Sequence, residues 1–242
     1  MEIHVIVIIA IGTFLVSSFN AAIGPTGGIQ LALVASLLPP QLSIPVHAVI
    51  SGTSSLTRFY QFRSSVDWFF VLRFCLGSII GTSVAIAVFF QIDEGLLLVV
   101  IGSFVLFNNY IPYKDFIGGK AVSYLDFIIG LITGALTVFV GATGPAVFTY
   151  IAASRGHREA VLGTDAACMS FQHFTKVIGF SLLAFLPLKY LSILIIFGLC
   201  GIFGTAIGVV FVRKMPEIFF RAAFRFVTTL VGVYLIGLGL WA

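Results

Sequence analysis

The sequence predicts an all-α, polytopic transmembrane protein of about 8–10 membrane segments, built as two inverted repeats that each contain a broken or re-entrant half-helix. Three observations predict this: an extreme apolar composition, an internal duplication, and the placement of basic residues between apolar runs. Of 242 residues, 60% are hydrophobic and 9% charged, against about a quarter charged in an average soluble domain. No Asp, Glu, Lys or Arg occurs from Ile3 to Thr57, Phe74 to Ile92, Gly95 to Tyr113, Phe127 to Ser154 or Tyr190 to Val212. Each gap approaches or exceeds the roughly 20 residues that a spanning helix needs.

Runs bounded by Pro, Gly or charge give ten segments, at 3–22, 27–38, 46–62, 67–90, 95–110, 122–140, 144–153, 159–185, 190–212 and 217–240. Segments 27–38 and 144–153 are too short to span. At about 1.5 Å per residue they reach part-way across a hydrocarbon core of about 30 Å, which makes them half-helices.

The two short segments hold corresponding places because the chain repeats itself. Gly24-Pro25-Thr26-Gly27-Gly28 answers Gly141-Ala142-Thr143-Gly144-Pro145. The run from Ala48 to Ser54 answers that from Ala160 to Asp165 with one residue of slippage, and Phe74 to Thr82 lines up with Phe197 to Thr205 without a gap. Three matches in one order define a first repeat at 1–111 and a second at 121–242, joined by a polar linker at 112–120 within one integral membrane domain.

Basic loops stay in the cytoplasm. Arg58 and Arg63 flank the end of the third segment, whereas Asp93 and Glu94 follow the fourth; in the second half Arg155, Arg158, Arg213 and Lys214 mark the opposite loops. With Lys114 and Lys120 of the linker also inside, one path fits all of them, with both termini outside a cell membrane crossed many times. Five segments per half is an odd number, so the repeats are inverted. Pairing each short segment with its predecessor as a re-entrant hairpin leaves the loop sides unchanged, with about six full spans and two hairpins.

The formal charge of +4 and pI near 9.1 do not point to nucleic acid, because the basic residues stand singly or in pairs between apolar runs. The first apolar run lacks a basic leader and a convincing cleavage site, so it reads as retained membrane sequence. Cys75, Cys168 and Cys200 sit inside apolar runs at no metal-binding spacing and read as packing residues. Trp68, Tyr110, Tyr113, Tyr190 and Trp241 fall near segment ends, as interfacial anchors do.

Short, Gly/Pro-interrupted segments at matched places in inverted repeats point to a midplane binding site. Each Gly-rich turn opens a half-helix, and a helix opening presents unpaired N–H groups and the positive end of a dipole. The candidate substrate ligands are therefore Gly24, Thr26, Gly27 and Gly28 in the first turn and Gly141, Thr143 and Gly144 in the second, with the two threonines as hydroxyl donors. Two such ends facing each other favour an anion.

A second constellation follows each half-helix. Asp165, Gln172 and Lys176 are spaced by seven and four and share one helical stripe, with His173 at its edge. His47, Ser54, Arg58 and Gln61 form the corresponding stripe, with Gln61 matching Gln172. Thr53 and Thr164 of the matched Gly-Thr pairs complete the set. Polar side chains at membrane depth are costly and usually face a cavity or pathway, and Lys176 and Arg58 supply charge to balance an anion. Either cation also has a plainer reading, as a side chain reaching the interface. Gly77, Gly81, Gly204 and Gly208, spaced by four, read as close-packing positions.

These residues resemble the TauE/SafE sulfite exporter family. The resemblance rests on the Gly-Pro-Thr-Gly-Gly turn at Gly24, its echo from Gly141 to Pro145, the run from His47 to Ser54 and the Gly-x-x-x-Gly pair at Gly77, and it covers essentially the whole chain. It implies a membrane permease for sulfite, sulfonate or a related organic anion. Pro25 and Thr26 stand in a turn that is often richer in glycine in that family, and Asp165 replaces its more usual hydroxyl residue.

The sequence thus predicts a secondary transporter of a small anion, working by alternating access without cofactor or nucleotide, since it carries no GxxxxGK[ST] loop. Proton coupling and a homodimer are compatible with it. A passive anion channel or accessory membrane subunit is the alternative. An intramembrane enzyme would require a metal cluster, a Ser/His or Asp/Asp pair or HExxH, and these spacings do not occur.

Overall fold

A chain in hydrocarbon must satisfy its own backbone N–H and C=O groups, which the α-helix does within one segment. The computed structural model describes residues 2–23, 27–89, 91–110, 123–141, 143–155, 158–183, 190–211 and 217–241. Among them the chain forms ten α-helices: α1 (Ile3–Ile23), α2 (Gly27–Ala35), α3 (Pro40–Phe62), α4 (Trp68–Phe89), α5 (Glu94–Tyr110), α6 (Ser123–Val140), α7 (Gly144–Arg155), α8 (Arg158–Leu182), α9 (Leu191–Phe211) and α10 (Glu217–Trp241). Asp67 and Asp93 open α4 and α5, their carboxylates accepting the N–H of Phe70 at 3.0 Å and of Leu96 at 3.1 Å.

These are the ten predicted segments, and one boundary differs materially. α3 begins at Pro40 rather than at 46. Pro39 is extended, so Pro40 takes the first helical position, where no N–H is needed. The helix then continues through Pro45. Ser43 ties down the turn before it, its hydroxyl shared between the carbonyls of Leu38 at 2.8 Å and Pro39 at 2.9 Å.

Among the described residues four helices are long and apolar enough to cross a membrane, over Ile3–Asn20, Trp68–Phe89, Ser123–Val140 and Leu191–Gly208, and the protein is a multi-pass membrane protein. α4 shows why. Its buried face carries Phe70, Phe74, Gly77, Ser78, Gly81 and Thr82, while Phe69, Leu72, Leu76, Ile80 and Val84 are exposed. A helix apolar on its outer face is matched to lipid. α3 and α8, with 23 and 25 residues, are as long but more polar, because their polar side chains turn inward.

The packing shows how the halves are related. On α3 and α8, Gly52 lies against His173, and Gly163 against Phe62; His173 and Phe62 each stand ten residues after their glycine. The contact is therefore reciprocal and the helices antiparallel. Gly102 lies against Gly232 and Gly239 against Gly95, so α5 and α10 are antiparallel as well. Equivalent helices that meet antiparallel define inverted repeats.

The glycine ladders obey the same symmetry. Gly81 abuts the carbonyl of Leu131, and Gly204 that of Phe14; Leu131 and Phe14 each stand ten residues before their turn glycine, Gly141 or Gly24. Gly77 against Phe127 and Gly208 against Ser18 extend the two ladders, so α4 runs parallel to α6, and α9 to α1. A Cβ at any of these four glycines would strike backbone, the close packing that their spacing predicts. The approach lets Thr82 donate to the carbonyl of Gly134 at 3.1 Å.

Each half-helix lies in a nest completed by the other half. α2 packs among α1, α3 and α9 around Ile9, Val34, Ile50 and Phe197. α7 packs among α6, α8 and α4 around Phe74, Val147, Ile151 and Met169. One polar clamp holds α7 in place. Buried Asp126 accepts Tyr150 Oη at 2.9 Å on one oxygen, and Arg73 Nε and Nη2 at 3.0 and 2.9 Å on the other. Because Arg73 is 35% exposed, solvent screens the pair. Asp126→Asn is expected to cost about 1 kcal/mol, read as a lower thermal unfolding midpoint in detergent; an unchanged midpoint would show that the clamp does not hold α7.

Candidate functional site

The second Gly-rich turn is built by conformation and by capping together. Gly141 has φ +70°, a left-handed conformation that glycine adopts without strain, and its α-carbon faces Leu31 of α2 and Ile44 of α3. Thr143 then opens α7, its carbonyl accepting Ala146 N at 3.1 Å and Val147 N at 3.3 Å. A threonine here could cap the helix with its hydroxyl. Oγ1 also donates to Gln172 Oε1 at 3.0 Å, which ties the start of α7 to α8.

Gln172 is held from its other end, Nε2 donating to Ser78 Oγ at 3.2 Å and Thr133 Oγ1 at 3.3 Å. Four helices therefore fix one amide: α4, α6, α7 and α8. Lys176, one turn further on, is fully buried. Its ammonium donates to Thr137 Oγ1 at 3.0 Å and to the carbonyls of Gly141 at 3.2 Å and Thr137 at 3.3 Å. Three donors meet three acceptors at the C-terminal, negative end of α6.

The start of α2 faces this group from the other side. His47 Nε2 lies 3.1 Å from the Gly27 carbonyl and 2.9 Å from Ser51 Oγ. A carbonyl only accepts, so Nε2 carries the hydrogen and Nδ1 is the basic nitrogen. His47 and His173 meet edge to face, ring centres 5.6 Å apart. The Nδ1 atoms of both are buried and unpartnered. A Cβ at Gly28 would meet open space, so there is room beside the first turn of α2. The two half-helix openings thus converge on a polar centre of His47, Ser51, Thr143, Gln172 and His173.

The remaining predicted residues divide around that centre. Arg58 lies further along α3 and Asp165 earlier along α8, and they pair with each other through Nη2 and Oδ2 at 3.3 Å. Arg58 is turned into the protein rather than towards the interface. Ser54 Oγ shares a hydrogen bond of 3.0 Å with Ser17 on α1. Thr53 bonds back to the carbonyls of Val49 and Ile50 within its own helix, whereas Thr164 accepts Asp67 N at 3.0 Å and ties α8 to the start of α4. Gln61 is exposed, unlike its counterpart Gln172. Gly24 and Thr26 lie outside the described residues.

Ser51, Ser78, Thr133 and Thr137 were not singled out by the sequence. Ser51 had a signal, standing one turn after His47 on the same face. Ser78, Thr133 and Thr137 look like ordinary small residues of apolar spans, and only the packing of α4, α6 and α8 gives them a role.

The chain matches the family described as Sulfite exporter TauE/SafE over residues 8–235 of 242, and it belongs to that family of membrane transporters. No curated protein and no solved structure matched the chain.

Proposed function

We propose that this TauE/SafE family member is a secondary transporter, not an enzyme, that carries sulfite, an organosulfonate or a related small anion across the cell membrane by alternating access. The observation that carries the reading is the convergence of two half-helix openings on buried, unpartnered nitrogens of His47 and His173. N–H groups and positive dipole ends attract an anion. Each Nδ1 accepts a hydrogen from a protonated ligand or, once protonated itself, donates to an anion. The substrate ligands in this reading are the turn residues from Gly24 to Gly28 and from Gly141 to Gly144, with Gln172, His173 and His47.

The repeats at 1–111 and 121–242 are the moving parts, joined by a cytoplasmic linker at 112–120, with both termini outside. Relative helix directions support that path: α3 opposes α8, and α4 runs with α6. A homodimer is part of the reading and is read out by the mass of the purified complex.

Purified protein is expected to bind sulfite and short sulfonates in preference to short carboxylates. Gly144→Leu, which puts a branched side chain on the opening of α7, should weaken binding at least tenfold. Failure of the wild type to bind any of these anions, or full binding by Gly144→Leu, would sink the proposal.

A further inference from the structure

Beyond the half-helix centre lies a charged pair that the centre does not use. Arg58 on α3 and Asp165 on α8 are 2% and 0% exposed. They meet through one contact of 3.3 Å, whereas a guanidinium and a carboxylate ordinarily close with two parallel hydrogen bonds. Arg58 Nε and Nη1 and Asp165 Oδ1 are buried without partners. Taking two ions out of water and leaving three of their atoms unbonded is costly. The pair stands three turns from His47 along α3 and two from Gln172 along α8, so it is a separate station. It also joins the two halves where the equivalent helices cross.

Among the described residues, Glu159 at the start of α8 is exposed, and the other charged and titratable groups on the elements packed around Asp165 are placed as follows. Arg73, Asp126 and Tyr150 bind one another, Asp67 caps α4, and Lys176 caps α6. Arg63 at the end of α3 turns to Tyr60. Cys75 and Cys168 are free thiols, and His173 faces His47. Among the described residues Arg58 is the cation on Asp165.

We propose that Arg58 and Asp165 form a second anion station, at which a substrate monoanion takes the free guanidinium N–H groups, displaces the Asp165 carboxylate, and obliges Asp165 to take up a proton. The proposal rests on the anion-transport reading above. Its basis is the balance of buried charge. The closed pair sums to zero. An anion on Arg58 beside an ionised Asp165 leaves one uncompensated negative charge at membrane depth, which is strongly penalised. A proton from the aqueous phase forms an O–H bond on Asp165 as the Arg58–Asp165 contact breaks, and the sum returns to zero. When the anion leaves, the contact re-forms and the proton departs. One proton therefore accompanies each anion.

The test uses the full-length protein in liposomes, with sulfite and methanesulfonate as probes; methanesulfonate has no titratable proton of its own. Wild-type flux should rise with an imposed proton gradient at about one proton per anion. Asp165→Asn, a permanent mimic of the protonated acid, should lose at least tenfold of the gradient response for both anions. Should that variant not fold, Asp165→Ser introduces the residue of the matching position, Ser54. Binding or flux of either anion with the gradient response intact in the Asp165 variant, or with no proton moved by the wild type, overturns the station and leaves the transport reading standing. No binding and no flux of either anion overturns both.

Discussion

Replacing Lys176 by Met is expected to abolish anion flux and to lower stability by about 1–3 kcal/mol, the cost of one buried acceptor left unpaired. The side chain is of similar length but removes the ammonium donor from Thr137 Oγ1 and from the carbonyls of Thr137 and Gly141. The Gly141 N–H still donates to the Thr137 carbonyl at 3.0 Å and Thr137 Oγ1 to the Gly141 carbonyl at 3.2 Å, so both carbonyls keep a partner and the loss stays near that of one acceptor. The effect on function runs through geometry. Lys176 draws the last carbonyls of α6 and the Gly141 turn together, and that turn sets where Thr143 and α7 begin. Thermal unfolding and sulfite binding of the same detergent-purified sample check this account. A lower midpoint with lost flux is the expected pair. A wild-type midpoint with weakened affinity would instead make Lys176 a substrate ligand, the role that its charge and stripe position suggested.

Lys176 illustrates what the sequence made legible. The stripe Asp165, Gln172, Lys176 was readable because buried polar residues at helical spacing stand out in an apolar chain, and all three are buried. Their partners were not readable, because a carbonyl at the end of α6 has no signature in the sequence. The same limit explains Gln61. Its alignment with Gln172 is sound by the reciprocal contacts of Gly52 and Gly163, yet Gln61 is exposed. The half-helices meet α3 and α8 at different heights: α2 opens beside His47, and α7 beside Gln172. Residues 36–39 separate α2 from α3, while 156 and 157 separate α7 from α8. Reading α3 from residue 46, where the last proline releases the chain, hid that offset. Inversion was legible from the loop charges, since it depends on the side of the membrane rather than on register.

The second large effect concerns Arg58 and Asp165. Arg58→Leu alone should destabilise the protein by about 3–5 kcal/mol, as removing one partner strands a buried charge. Asp165→Leu alone should do the same. The double variant Arg58→Leu/Asp165→Leu is expected to recover most of that loss, because replacing a desolvated pair by packed apolar side chains is often neutral or stabilising. Recovery should be helped by what the pair already lacks, with one contact and three unpartnered atoms. Flux should not recover with it. A double variant that melts near the wild-type temperature and carries no anion separates the two roles that a buried pair can play. It would mean that the chain keeps these charges at a cost in stability, as a station that must open to an anion requires. If the double variant melted no higher than the singles, the pair would be a structural tie between the halves. If it melted normally and still carried sulfite, Arg58 would have no part in the path of the anion.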